Sequence, residues 1–101
     1  MQEDPAALRE AVERLHCCKA RLHEAVRVVE RFHGAVVWDG VVHVFTLQGH
    51  QKATVAYAWS APVAGTPKRK VYAVLGIPPV ESPLDAVRAA IVSDTSKGEP
   101  P

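Results

Sequence analysis

The chain has 101 residues, with 12 Lys and Arg against 11 Asp and Glu. Its net charge of +1 excludes a global bias towards nucleic acid or membrane, though not a local basic patch. The length fits one domain with a modest core, and the only two cysteines, Cys17 and Cys18, are neighbours that cannot easily bridge each other, so a reducing cytoplasm is the expected compartment. Met1 to Asp4 is acidic and no long apolar run follows, so neither a signal peptide nor a membrane span is expected.

Residues 6–33 contain no glycine or proline, and their apolar positions recur every seven residues. Leu8, Leu15, Leu22 and Val29 share one heptad position, and Ala11, Cys18, Ala25 and Phe32 the other. The pattern predicts one long helix, capped by Asp4 with Pro5 in the first position and closed by Gly34. Such a helix is about 42 Å long and overhangs strands of roughly 20–27 Å. An overhanging apolar stripe calls for a partner, and a second copy of the chain is the simplest one. Leu8, Leu15, Cys18 and Leu22 are the expected dimer contacts.

Strand signals begin after Gly34. Ala35–Trp38 is a short run, Asp39-Gly40 is a hairpin signal, and Val41–Leu47 follows. A turn at Gly49-His50-Gln51-Lys52 leads to a strand over Ala53–Ala61. The loop Pro62–Lys70 precedes a strand over Val71–Ile77, which Pro78-Pro79 closes. Connections this short predict an antiparallel meander of three to four strands. Ser82 then caps a short helix with Pro83 in its first position and Asp85 in the capping-box role, running to about Asp94. Residues 1–94 are expected to form one domain, and 95–101 a disordered tail. The expected class is α+β: long N-terminal helix, antiparallel meander, short C-terminal helix.

Neither sheet face reads as polar. Val55, Tyr57 and Trp59 share one face of their strand, and Thr54, Ala56 and Ala58 the other. Both faces need covering. The alanine face suits a closely packed helix, and the aromatic face a pocket or interface.

Candidate chemistry is sparse. His16 and His23 lie two helical turns apart on the expected helix, and Cys17 and Cys18 diverge, so no metal site or cofactor is expected. His33, His43 and His50 could meet Asp39 or Glu81 in an acid–base site, but no nucleophile motif accompanies them. Lys52, Lys68, Arg69 and Lys70, with nearby aromatics, are the ingredients of a nucleic-acid face, although the second helix lacks the basic cluster of double-stranded-RNA binders. Trp38, His43, Tyr57, Trp59 and Tyr72 are the candidate ligand or interface residues.

Trp38-Asp39-Gly40-Val41-Val42-His43-Val44-Phe45, Gly49-His50, Ala56-Tyr57-Ala58-Trp59-Ser60, Val74-Leu75, Pro78-Pro79 and the segment from Ser82 to Val92 together resemble a group of small uncharacterised bacterial proteins, some of them carried on mobile gene cassettes. The similarity spans residues 35–94. It implies a bacterial, cytoplasmic protein and brings no activity or catalytic residue with it.

Three functions follow as expectations. The foremost is a non-enzymatic homodimeric binding or adaptor module for a protein or small ligand. A nucleic-acid binder requires Lys52 and Lys68–Lys70 to share one surface. A small enzyme requires His43 or His50 beside a carboxylate in a sheet pocket.

Overall fold

The computed structural model describes residues 5–63 and 65–98. The elements are α1 (Pro5–His16), β1 (Lys19–Phe32), β2 (Ala35–Gln48), β3 (Val55–Pro62), β4 (Arg69–Leu75) and α2 (Pro83–Gly98). The strands form one antiparallel sheet in the order β1-β2-β3-β4. The α+β class and the order helix, meander, helix are as expected. No described helix is long and apolar enough to cross a membrane.

The first helix is shorter than its pattern predicts. It ends at His16, where Cys17 turns to a left-handed φ of 52° without a glycine. Two contacts secure this exit: Glu13 Oε2 accepts the Ala20 N–H at 2.9 Å, and His16 Nε2 lies 3.0 Å from the Ala73 carbonyl oxygen, which it can reach as a donor. The remaining seventeen residues of the expected helix, 17–33, hold β1, which pairs with β2 along its whole length. The apolar repeat is therefore divided between two elements. Leu8 is 2% exposed against the chain's own sheet, whereas Leu15 is 60% exposed and Leu22 lies on β1. The expected Asp4 cap lies outside the described residues, while Pro5 does open the helix.

The hairpin turn also moves. His33 and Gly34, both at positive φ (52° and 80°), join β1 to β2 as a two-residue turn. Gly34 thus supplies the backbone freedom expected of it, in a hairpin and not a helix cap. Asp39-Gly40 is no turn. It lies inside β2, which fuses the first two expected strands, with Gly40 opposite Val28. The third and fourth strands are shifted by one to two residues from their expected limits.

A bulge between Leu22 and Glu24 moves β1 from one face of the sheet to the other. Before it, Ala20 and Leu22 lie opposite Leu47 and Phe45; after it, Val26 and Val28 lie opposite Val42 and Gly40. One layer holds α1, with Leu8 and Val12 against Ala20, Phe45, Ala56 and Ala58. The alanines allow this close approach, as their small size predicts. The other layer holds α2, with Ala86 and Val87 against Val28, Val42, Val44, Tyr57 and Trp59. Each sheet face is therefore covered by one helix of the same chain.

Ser82 caps α2 by accepting the Asp85 N–H at 3.1 Å, while Asp85 Oδ2 accepts the Glu81 N–H, one residue before the expected cap partner. The helix continues to Gly98, four residues past the expected end at Asp94. Residues 95–98 are thus helical, and the remainder of the expected tail lies outside the described residues. Arg88 on α2 grips Glu30 on β1, tying the helix to the long hairpin.

Candidate binding cleft

The site arises from unequal strand pairing. β2 pairs with β3 only from His43↔Ala58 to Thr46↔Val55. Past that ladder β2 continues with β1 and β3 continues with β4, so the two hairpins separate. Between them lies a cleft of about 580 Å³, lined on the β2 side by Trp38, Asp39, Gly40, Val41 and His43. Ser60, Ala61, Pro62 and Arg69 line the other wall, and Pro5 contributes from α1. Pro62 is tolerated in a strand because β3 has become an edge there.

Gly40 shapes the β2 wall. The Trp38 indole lies across it so closely that an added Cβ would sit 2.8 Å from the ring. Trp38 in turn meets Trp59 edge to face at 5.9 Å, and Trp59 stacks on Tyr72 at 5.2 Å with the Lys70 ammonium 4.8 Å from the Tyr72 centroid. This aromatic ladder belongs to the layer covered by α2, and Trp38 is its end that reaches the cleft.

His43 stands where β2 and β3 part, flanked across the strands by Ala25 and Ala58. It is 6% exposed and is the one buried polar or charged residue among those described. Asp39, on the same face of β2, is held by Arg27: Nε donates to Oδ1 at 3.2 Å and Nη2 to Oδ2 at 2.9 Å. The hydrogen bonds from Arg27 hold the Asp39 carboxyl below its ordinary range. Across the cleft, Arg69 donates to the Ser60 hydroxyl at 3.0 Å and to its carbonyl at 3.1 Å.

The expected site residues separate into groups. Trp38 and His43 line the cleft; Tyr57 and Trp59 are buried core beneath α2, and Tyr72 is half-buried beside them. Burial is the main cause that raises the Tyr57 hydroxyl pKa. The histidines do not converge: His33 and His50 flank opposite ends of β2. His50 Nδ1 accepts the N–H groups of Lys52 and Ala53, so it builds the turn before β3. Lys52 precedes β3 whereas Lys68–Lys70 follow it, about 26 Å away along an eight-residue strand. Those four side chains therefore do not form one patch. Cys18 is half-buried and Cys17 exposed, and burial foremost raises the Cys18 pKa. No group of three or more His, Cys, Asp or Glu among the described residues is placed to hold a metal ion.

Sequence reasoning missed Arg27, Ser60 and Pro62, whose roles depend on where β2 leaves β3. Pro62, at the end of an otherwise β-patterned run, was the available sign of an open edge. No protein-family model matches the chain, and neither a curated protein nor a solved structure matches it.

Proposed function

We propose that the protein is a non-enzymatic binding module whose ligand occupies the cleft between its two hairpins. The observation that carries this reading is the cleft itself, with an apolar wall at Trp38 and Val41 and polar groups from Asp39, His43 and Arg69. Concave sites of this size, mostly apolar with a few placed polar groups, are the usual ligand sites of small proteins. Binding is favoured over acid–base catalysis because Asp39 is committed to Arg27 and His50 to its turn. Amide and side-chain shift mapping by NMR with a fragment library is the test. Shifts clustered at Trp38, Val41, His43 and Ala61 are the expected result, and hits confined to other surfaces would remove the cleft as the site.

The module acts as a homodimer in this reading. The first helix no longer supplies an overhanging stripe, but the tip of the β1–β2 hairpin exposes Phe32, Val36 and Val37, the first at 65%. Light scattering under reducing conditions checks this. A mass twice the 10.9 kDa of one chain supports the dimer, and Phe32→Ser should then shift it towards monomer. A wild-type mass of one chain rejects it.

A further inference from the structure

The gap between the hairpins has a second, smaller compartment. Gly40 has no side chain, so the Trp38 indole lies across it and meets Trp59 on the α2 side of the sheet. Beside that indole is a cavity of about 110 Å³. Trp38, Trp59 and Tyr72 line it from the sheet, and Val87, Ala90 and Ile91 from α2. Trp38 and Ala61 line both this compartment and the 580 Å³ cleft. The route from one to the other therefore passes between those two residues, where β2 and β3 have already parted.

Prior commitments decide the charge of the occupant. Asp39 is paired with Arg27, Arg69 is bonded to Ser60, and His43 is likewise engaged, so these groups do not call for an opposite charge on a ligand. Tyr72 already has Trp59 stacked on it and the Lys70 ammonium over its ring, so the aromatic wall does not call for a cation. An uncharged, apolar group remains. Volume then limits its size. At the packing density of protein interiors, about 0.75, a space of 110 Å³ takes about 80 Å³ of van der Waals volume, roughly one six-membered aromatic ring. Three aromatic side chains around that space favour a planar ring over a saturated one, because stacked and edge-to-face contacts add to burial.

We infer that this compartment is the anchor subsite of the ligand cleft, taking one uncharged, single aromatic ring of a small molecule inserted past Trp38. This rests on the cleft being the ligand site. The rest of the ligand lies in the cleft against Val41 and Pro62. A fused bicycle overfills the compartment, and Trp38 is the residue that would have to give way to it.

The experiment titrates the full chain with benzyl alcohol, with 2-naphthylmethanol and cyclohexylmethanol as controls. Trp38 and Trp59 are the only tryptophans and both line the compartment, so intrinsic emission reports its occupancy. The methyl signals of Val87, Ala90 and Ile91 locate the ring by NMR. Benzyl alcohol should saturate and shift those methyl signals, and both controls should bind at least about tenfold more weakly. Ala90→Leu fills the compartment from the helix side with another good helix former and should abolish the binding, its fold being checked by circular dichroism. Trp38→Leu widens the passage and should erase the discrimination against 2-naphthylmethanol. Saturation with shifts confined to Val41 and His43 would overturn the subsite while leaving the cleft as the ligand site. Binding that survives Ala90→Leu unchanged, or discrimination that survives Trp38→Leu, would also overturn it. No saturation by benzyl alcohol would overturn the inference alone, since the fragment mapping judges the cleft separately.

Discussion

Gly40 offers the sharpest test of how this chain folds. It lies mid-strand opposite Val28, and its φ is not among the positive ones. An alanine therefore meets no backbone obstacle there and should gain about 0.5–1 kcal/mol from reduced unfolded-state freedom. The obstacle is Trp38. The new Cβ would lie 2.8 and 2.9 Å from two indole carbons, against an ordinary contact of about 3.5–4.0 Å. The ring must retreat by most of an ångström, which disturbs its edge-to-face contact with Trp59. Overpacking of this kind costs about 1–3 kcal/mol, so Gly40→Ala should lower stability by roughly 1–2 kcal/mol. In a Trp38→Leu background the clash is gone, and the same alanine should be neutral or mildly stabilising. Urea unfolding of the four proteins at pH 7 gives the coupling energy, expected at about 1–3 kcal/mol. If Asp39-Gly40 were a hairpin turn, alanine at positive φ would cost the same with or without Trp38. An equal cost in both backgrounds would refute the placement of Gly40 within β2.

Glu30 and Asp39 are both held below ordinary carboxylate values, first by their hydrogen bonds to Arg88 and Arg27. Over that range the unfolded chain binds more protons, so the stabilisation is present above the ordinary carboxylate pKa near 4 and is lost as pH falls through the depressed folded values. Urea midpoints between pH 7 and 2.5 should therefore fall, and Glu30→Gln should flatten that fall; superimposable acid profiles would contradict the pairing of β1 with α2. His50→Ala removes the acceptor of the buried Ala53 N–H and should cost about 1–2 kcal/mol, with His50→Asn restoring much of it in the same urea assay. Burial raises the Cys18 pKa, so in Cys17→Ser its alkylation by iodoacetamide should rise with pH only above the ordinary thiol range. A profile at or below that range would mean that Cys18 is not covered as described.

Much of the architecture was legible locally. Ser82-Pro83 with Asp85 opens a helix because its own side chains satisfy the first amide groups. Alternation along β3 separates Tyr57 and Trp59 from Ala56 and Ala58, and this distinguishes the face that accepts α1 from the face that accepts α2. The signal for β1 was also present. From Lys19 to Arg31 the odd positions are Lys, Arg, His, Ala, Arg, Val and Arg, while the even ones include Ala20, Leu22, Val26 and Val28. That is a strand period, and the bulge at residues 22–24 lets it coexist with the seven-residue repeat. Without glycine or proline to interrupt it, the helical period looked continuous.

The amino-acid order by itself determined the α+β class, the antiparallel meander, the cap of α2 and the two contrasting sheet faces, because each depends on neighbours within a few residues. Tertiary structure decided the rest. Residues 19–32 are extended because β2 pairs with them along their length, and intrinsic propensity is too weak to oppose that ladder. Gly40 is a strand residue because β2 pairs with β1 there, opposite Val28, and the Trp38 indole takes the space that a side chain would fill. The cleft exists because β2 leaves β3 after four pairs, a separation between residues distant in the chain that no local pattern encodes.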